Sequence, residues 1–274
     1  TQEVPKGIHT QAHWPVDVFA AITMPQGPPR PSELVLQQRE VVKRELCELS
    51  PIEWKGRLCH MESIRPGHGG TREDYYLLLK DAETGEELAK FALGYGLACA
   101  MVHDDTFYAF ASRWEEDGSW NDVTMFRSKD LENWDAKVVV QQEDEHLFNS
   151  SVAPCPDGFV MAYESNDGRW PAFTTKFATS PDLETWTKRP ESTFGTNRYT
   201  ACPCIRWVNG YYYVLYLECR TPLHAFETYI TRSKDLTNWE LSAANPVLAP
   251  QGIGEGINAS DPDLIEWNGK TWVY

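Results

Sequence analysis

The chain has 274 residues, 42% of them hydrophobic, enough to bury a sizeable core in one large domain or two small ones. Its 40 Asp and Glu against 25 Lys and Arg give a formal charge of -15, which argues against nucleic acid and anionic membrane surfaces as partners, because phosphates need a clustered positive surface. No apolar run approaches the ~20 residues of a bilayer span; neutral polar ligands remain open.

Residues 1–45 read as an N-terminal extension outside any repeat. Gly27-Pro28-Pro29-Arg30-Pro31 is irregular, and Glu33 to Leu46 has helix-compatible spacing with a strand as the alternative at its end. From residue 46 to 274 one pattern recurs: an apolar run, a two-residue turn, then an aromatic and β-branched run. It is spelled "SPIEWKGRLCHME" (50–62), "ACAMVHDDTFYAFA" (98–111), "SVAPCPDGFVMAYE" (151–164), "CPCIRWVNGYYYVLYLE" (202–218) and "DPDLIEWNGKTWVY" (261–274). Asp-Gly and Asn-Gly accept the positive φ of type I′ turns, so these stretches are expected to be tight antiparallel hairpins. Their second turn residues fall at 56, 105, 158, 210 and 269.

Between the hairpins, "RSKDLENW", "TSPDLETW" and "TRSKDLTNW" place Trp134, Trp186 and Trp239 at intervals of 52 and 53 residues. Further strand-like runs, such as 123–127 and 136–140, bring each unit to four short strands, the pattern of a β-propeller. The expected fold is therefore all-β, a five-bladed propeller over residues 46–274. The last blade stops in its second strand at Tyr274; truncation there is the expectation, with outer strands supplied by the extension as the alternative. Asp130, Asp182 and Asp235 are read as turn-holding residues, with the box Leu and Trp anchoring the turn between blades.

The seven cysteines lie mostly in strand-like runs without a CxxC pair, a pattern of buried free thiols that makes zinc unexpected. A reducing, cytoplasmic location follows as the expectation. Because the chain begins with Thr1, a secreted or periplasmic location with a removed signal peptide is the alternative.

In a propeller the first strand of each blade lines the central channel. The position seven residues before the first turn residue reads Glu48, Leu97, Ser150, Cys202 and Asp261. Asp263 shares the face of Asp261, since strand side chains alternate with period two; the competing reading of Asp261-Pro262-Asp263 is a strand-start turn whose carboxylates cap backbone N–H groups. A second set, Glu62, Glu164 and Glu218, closes the second strand of three units. Such acids either sit exposed at a blade edge or line a pocket that tunes a carboxyl group, as glycoside hydrolysis requires. Arg65, His68, Asn149, Arg198, Tyr199 and Arg220 flank the two sets and are of the types that hold carboxylates ionised or bind sugar hydroxyls. The chain contains no GxSxG, P-loop or HExxH motif.

The Ser-x-Asp-Leu-x-x-Trp boxes, "NGYYYVLYLE" and "SDPDLIEWNGKTWVY" resemble the five-bladed β-propeller glycoside hydrolases, the class of arabinanase and β-xylosidase, invertase and anhydrogalactosidase type enzymes. The resemblance covers about Ser50 to Tyr274. It implies an exo-acting hydrolase of a plant or algal oligosaccharide, with a carboxylate base and a carboxylic acid at the channel mouth. It places the base at Asp261 and leaves the acid between Glu218 and Glu164, because Cys202 stands before Pro203 where the family's Glu is usual. Glu62, Arg65, Asn149, Arg198 and Asp263 are the expected substrate-binding residues. The resemblance implies no cofactor and leaves room for a structural calcium ion in the channel. A glycoside phosphorylase and a carbohydrate-binding propeller without catalysis are the alternatives.

Overall fold

The computed structural model describes residues 11–12, 48–66, 69–170, 173–220, 225–250, 258–259 and 261–274. The expected irregular and helical stretches between 27 and 46, Cys47 and His68 lie outside these residues.

Every sheet but one is built from consecutive antiparallel strands, because tight hairpins join runs of β-branched and aromatic residues. After β1 (Gln11–Ala12), the first blade holds β2 (Glu48–Trp54), β3 (Arg57–Ile64), β4 (Tyr76–Asp81) and β5 (Glu87–Phe91). The second holds β6 (Tyr95–His103), β7 (Thr106–Trp114), β8 (Trp120–Ser128) and β9 (Asp135–Val140). The third holds β10 (Leu147–Cys155), β11 (Gly158–Ser165), β12 (Thr174–Ser180) and β13 (Thr187–Phe194). The fourth holds β14 (Ala201–Val208), β15 (Tyr211–Arg220), β16 (Ala225–Ser233) and β17 (Trp239–Ser242), with the short β18 (Asn258–Ala259) pairing parallel to β16. A two-stranded hairpin, β19 (Leu264–Trp267) and β20 (Lys270–Val273), takes the fifth position.

The molecule is thus an all-β propeller with four complete blades and, among the described residues, a hairpin where the fifth blade stands. The extension supplies an outer strand to the fourth blade: Gln11 and Ala12 pair in parallel with Leu241 and Ser242 of β17. The inner strands β2, β6, β10 and β14 touch in succession, and β19 touches β2. Leu264 packs with Cys204, Val208, Tyr213 and Leu215 of the fourth blade, so the hairpin bridges the fourth and first blades.

The recurrent boxes are inter-blade anchors. In each, the aspartate accepts two backbone N–H bonds: Asp130 from Glu132 and Asn133, Asp182 from Glu184 and Thr185, Asp235 from Thr237 and Asn238, all between 2.7 and 2.9 Å. The leucine takes a left-handed backbone, with φ 68 at Leu131, 65 at Leu183 and 64 at Leu236. Its carbonyl accepts the indole N–H of Trp134, Trp186 or Trp239 at 3.1, 2.9 and 3.1 Å. Each indole then meets the preceding blade: Trp134 stacks on Phe91, Trp186 meets Phe110 edge-on, and Trp239 stacks on Phe177. The bonds that hold the turn push Asp130, Asp182 and Asp235 below the usual carboxylate range.

One expected turn is displaced by a residue. The hairpins at Lys55-Gly56, Asp104-Asp105, Asn209-Gly210 and Asn268-Gly269 have positive φ at both central residues, as type I′ requires. In the third blade Cys155 pairs with Gly158, so the turn residues are Pro156 and Asp157 rather than Asp157 and Gly158. The proline ring fixes φ near -65° and forbids type I′. Gly158 carries the positive φ instead, at 117, and a Cβ there would stand 2.3 Å from the Ser180 carbonyl oxygen.

Candidate active site

Correcting that turn by one residue changes the ring of inner-strand positions to Glu48, Leu97, Asn149, Cys202 and Asp261, replacing Ser150 by Asn149. The backbone agrees. Pairing slips at this level in β6 between Gly96 and Cys99, in β10 between Phe148 and Ser150, and in β14 between Ala201 and Cys204. Leu97, Cys202 and Asp261 all sit in the left-handed region, at φ 55, 48 and 59. Bulges of this kind bend a strand and re-aim one side chain; here Asn149, Cys202 and Asp261 line one cavity, while Leu97 packs with Tyr75, Trp114 and Trp120. That cavity is lined by Glu48, Asn149, Ser150, Cys202, Asp261 and Asp263, with backbone of the same strands between them.

Glu48 stands at the start of β2, where its Oε1 accepts from Arg65 at 3.0 Å. Its Oε2 is buried without a hydrogen-bond partner among the described residues. Burial pushes the carboxyl up to about 7, against the pull of Arg65 and with a further push from Asp261. Asp261 is half-buried and acts on Glu48, Glu164 and the Cys202 thiol alike, so it lies electrostatically at the centre of the group.

Glu164, 3% exposed near the end of β11, lies directly behind Asn149 and Cys202. Its Oε2 accepts from Asn149 Nδ2 at 3.0 Å and from the Cys202 backbone N–H at 2.8 Å. Burial again pushes it up to about 7, Asn149 and Cys202 lowering it and Asp261 raising it. The half-buried Tyr199 ring, edge-on to Phe173, joins this wall; its phenol is raised by burial and by the charges of Glu164, Cys202 and Asp261.

The other expected residues divide. Arg65 and Asn149 belong to the cavity through Glu48, Glu164 and Cys202. Glu62 pairs with Lys80 at 3.5 Å inside the first blade. In register it opposes Leu49, one residue out of step with Glu164, so the two project from opposite faces of their strands. The first-blade counterpart of Glu164 is Ser63, whose hydroxyl accepts from Ala98 N–H of the next blade at 3.3 Å.

Glu218 is also out of step. Its Oε2 accepts from Arg198 at 2.9 Å and from the Tyr216 hydroxyl at 3.2 Å. Burial raises it, Arg198 and Tyr216 lower it, and Glu227, directly opposite on β16, raises it. Glu218 and Arg198 therefore form a buried clamp within the fourth blade. Asp263 lines the cavity, but its oxygens accept from Ser50 Oγ at 2.7 Å, Arg206 Nη2 at 2.6 Å and the Leu264 N–H at 2.8 Å. Those bonds tie the fifth-position hairpin to the first and fourth blades. Among the described residues no group of three or more His, Cys, Asp and Glu side chains is placed to hold a metal ion.

Glu48 was in the sequence-derived ring but not among the expected catalytic acids. Its signal was the shared seven-residue offset from the turn.

No protein-family model and no curated protein sequence matches the chain. Solved structures match it closely in fold. A solved glycoside hydrolase superposes at a TM-score of 0.63 with 13% identity, covering 82% of this chain and 81% of its own length. The Podospora anserina α-L-arabinofuranosidase PaAbf62A in complex with cellotriose gives 0.57 and 12%, over 81% and 78%. The GH43 protein BlXynB of Bacillus licheniformis gives 0.55 and 15%, over 83% of this chain and 48% of its own length. The fold is the β-propeller of these glycoside hydrolases.

Proposed function

We propose that the protein is a glycoside hydrolase whose reaction takes place in the central cavity, on an oligosaccharide. Asp261 is the base or nucleophile and Glu48 the acid. The observation that carries this reading is the meeting of Glu48 and Asp261, from different parts of the chain, around one cavity with Glu164 directly behind its wall, Glu48 and Glu164 both being held near 7 by burial. A carboxyl held near neutrality can be protonated and still give up its proton, the property a glycosidic leaving oxygen needs.

Glu48 is preferred over Glu164 as the acid because it lines the cavity and has one oxygen that no neighbour holds among the described residues. Glu164 sits one side chain back, where it accepts from Asn149 and the Cys202 N–H and so holds the cavity wall. Glu218, committed to Arg198 and Tyr216, takes no part in proton transfer on this reading.

The test uses the full chain and a panel of aryl glycosides with good and poor leaving groups. Asp261→Asn is expected to lose turnover on all of them. Glu48→Gln is expected to lose it on poor leaving groups while sparing activated ones, which need little proton donation. Native rates for Asp261→Asn would overturn the reading, and native rates for Glu48→Gln on poor leaving groups would overturn the choice of acid.

A further inference from the structure

We propose that the gap between the third and fourth blades holds a second binding site, remote from the candidate active site, which takes a sugar bearing a carboxylate, that is, a uronic acid. It stands independently of the hydrolase reading. Cys155, the last residue of β10, lines this gap, whereas Asn149, near the start of the same strand, lines the active-site cavity.

The site follows from comparing two successive gaps between blades. Between the second and third blades the gap is closed by charge. Arg127 Nε donates to Asp135 on its own blade at 3.3 Å, and its Nη1 reaches the Glu184 carboxylate of the third-blade box. Lys137 completes the closure: its Nζ donates to the Glu184 carbonyl at 2.7 Å and stands 3.6 Å from the Glu184 carboxylate.

Counted from the box Trp, the same positions one blade later are Thr179, Thr187, Arg189 and Thr237. The register agrees. Thr179 pairs with Thr187 of β13 as Arg127 pairs with Asp135 of β9, and the Thr237 N–H donates to Asp235 Oδ1 at 2.9 Å as the Glu184 N–H does to Asp182. Three charged side chains of the closed gap are thus replaced by threonine, and only the cation, Arg189, is kept.

The consequence is a cavity of about 350 Å³, within the range of small-molecule sites, whose walls include Thr179, Thr187, Arg189, Tyr212 and Lys234. Among the described residues no carboxylate reaches Arg189 from the fourth blade: its Nε turns back to Glu191 on its own strand at 2.6 Å. Lys234, on the fourth-blade side, lies 5.0 Å over the Tyr211 ring. Of the two acids in the walls, Asp235 is taken up by its box turn and Asp157 is exposed at the tip of the third hairpin. A ligand carboxylate therefore fills the place between Arg189 and Lys234 that Glu184 fills one gap earlier, and the planar guanidinium offers it paired donors. The threonine hydroxyls, the Tyr212 phenol and Asp157 supply donors and acceptors for ring hydroxyls, and the Tyr212 ring supplies an apolar face.

The experiment titrates the full chain by calorimetry with galacturonate, galactose and acetate at neutral pH. Galacturonate is expected to bind about tenfold more tightly than either, since galactose lacks the carboxylate and acetate lacks the ring. Two variants locate the site, and their melting temperatures show that each folds. Arg189→Gln removes the charge and is expected to weaken galacturonate about tenfold. Thr237→Glu restores the acid of the preceding gap, so its own carboxylate occupies Arg189 and galacturonate binding is expected to be lost. Galacturonate that binds no better than galactose or acetate, or that binds either variant as it binds the wild type, overturns the proposal. Neither readout uses turnover, so the outcome is separate from that of the hydrolase reading.

Discussion

Glu164 accepts the backbone N–H of Cys202 across the gap between the third and fourth blades, at 2.8 Å. The bond links a second-strand acid to the bulged start of the neighbouring inner strand. Chemistry and architecture meet at this junction.

The first prediction concerns activity and pH. An acid held near 7 at Glu48 gives an alkaline limb centred near that value, since activity falls as the proton is lost. Arg65→Ala removes the cation that lowers Glu48, so the limb should move to higher pH. Steady-state rates between pH 5 and 9 check both points.

The second concerns stability and pH. Glu48 and Glu164 are raised from 4.5 to about 7, so the folded state binds protons more tightly than the unfolded chain. Their contribution is fully present below about pH 4.5 and is lost as pH rises through about 7. For one such group this is on the order of 3 kcal/mol at most, because the carboxyls interact. Glu164→Gln should therefore melt higher than the wild type at pH 8 and show a flatter decline between pH 5 and 8, in thermal scans at each pH. The lowered aspartates of the boxes titrate in a separate, more acid window, where stability falls as pH falls.

The third prediction is structural. Leu183 is fully buried beneath its box turn, and Leu183→Ala should cost about 2 to 5 kcal/mol in urea unfolding. Gly158→Ala should be at least as harmful despite adding only one carbon, because the new Cβ meets backbone at Ser180 and Pro181.

The fourth concerns the ring closure. Asp263→Ala removes the acceptor of Arg206 and Ser50 together and should cost about 2 kcal/mol or more. Cleavage by a protease between the fourth blade and the hairpin should accelerate in this variant. An unchanged cleavage rate would show that apolar packing around Leu264 closes the ring by itself.

The sequence carried the architecture well for a physical reason: each unit repeats the same local solution, so turn pairs and Trp boxes declare themselves without knowledge of the rest. The site was less legible. Pro156 hid the third turn by one residue, and since strand side chains alternate, that slip replaced Asn149 by Ser150. Glu62, Glu164 and Glu218 looked equivalent by position after "CHM", "MAY" and "LYL". Counted from the true turns they stand sixth, seventh and eighth along their second strands, so Glu164 takes the opposite face from the other two, while the bulges in β10 and β14 place Asn149 and Cys202 against it. Bulges depend on contacts between blades, which no single unit contains.

The bulged starts of the inner strands also separate two burdens that most enzymes carry together. Asn149 and Cys202 stand off the ladder and outside the box anchors, so exchanging them leaves neither a broken rung nor an empty core. A scaffold of this kind can acquire new reactions through single replacements at its hub while its blades continue to fold unchanged.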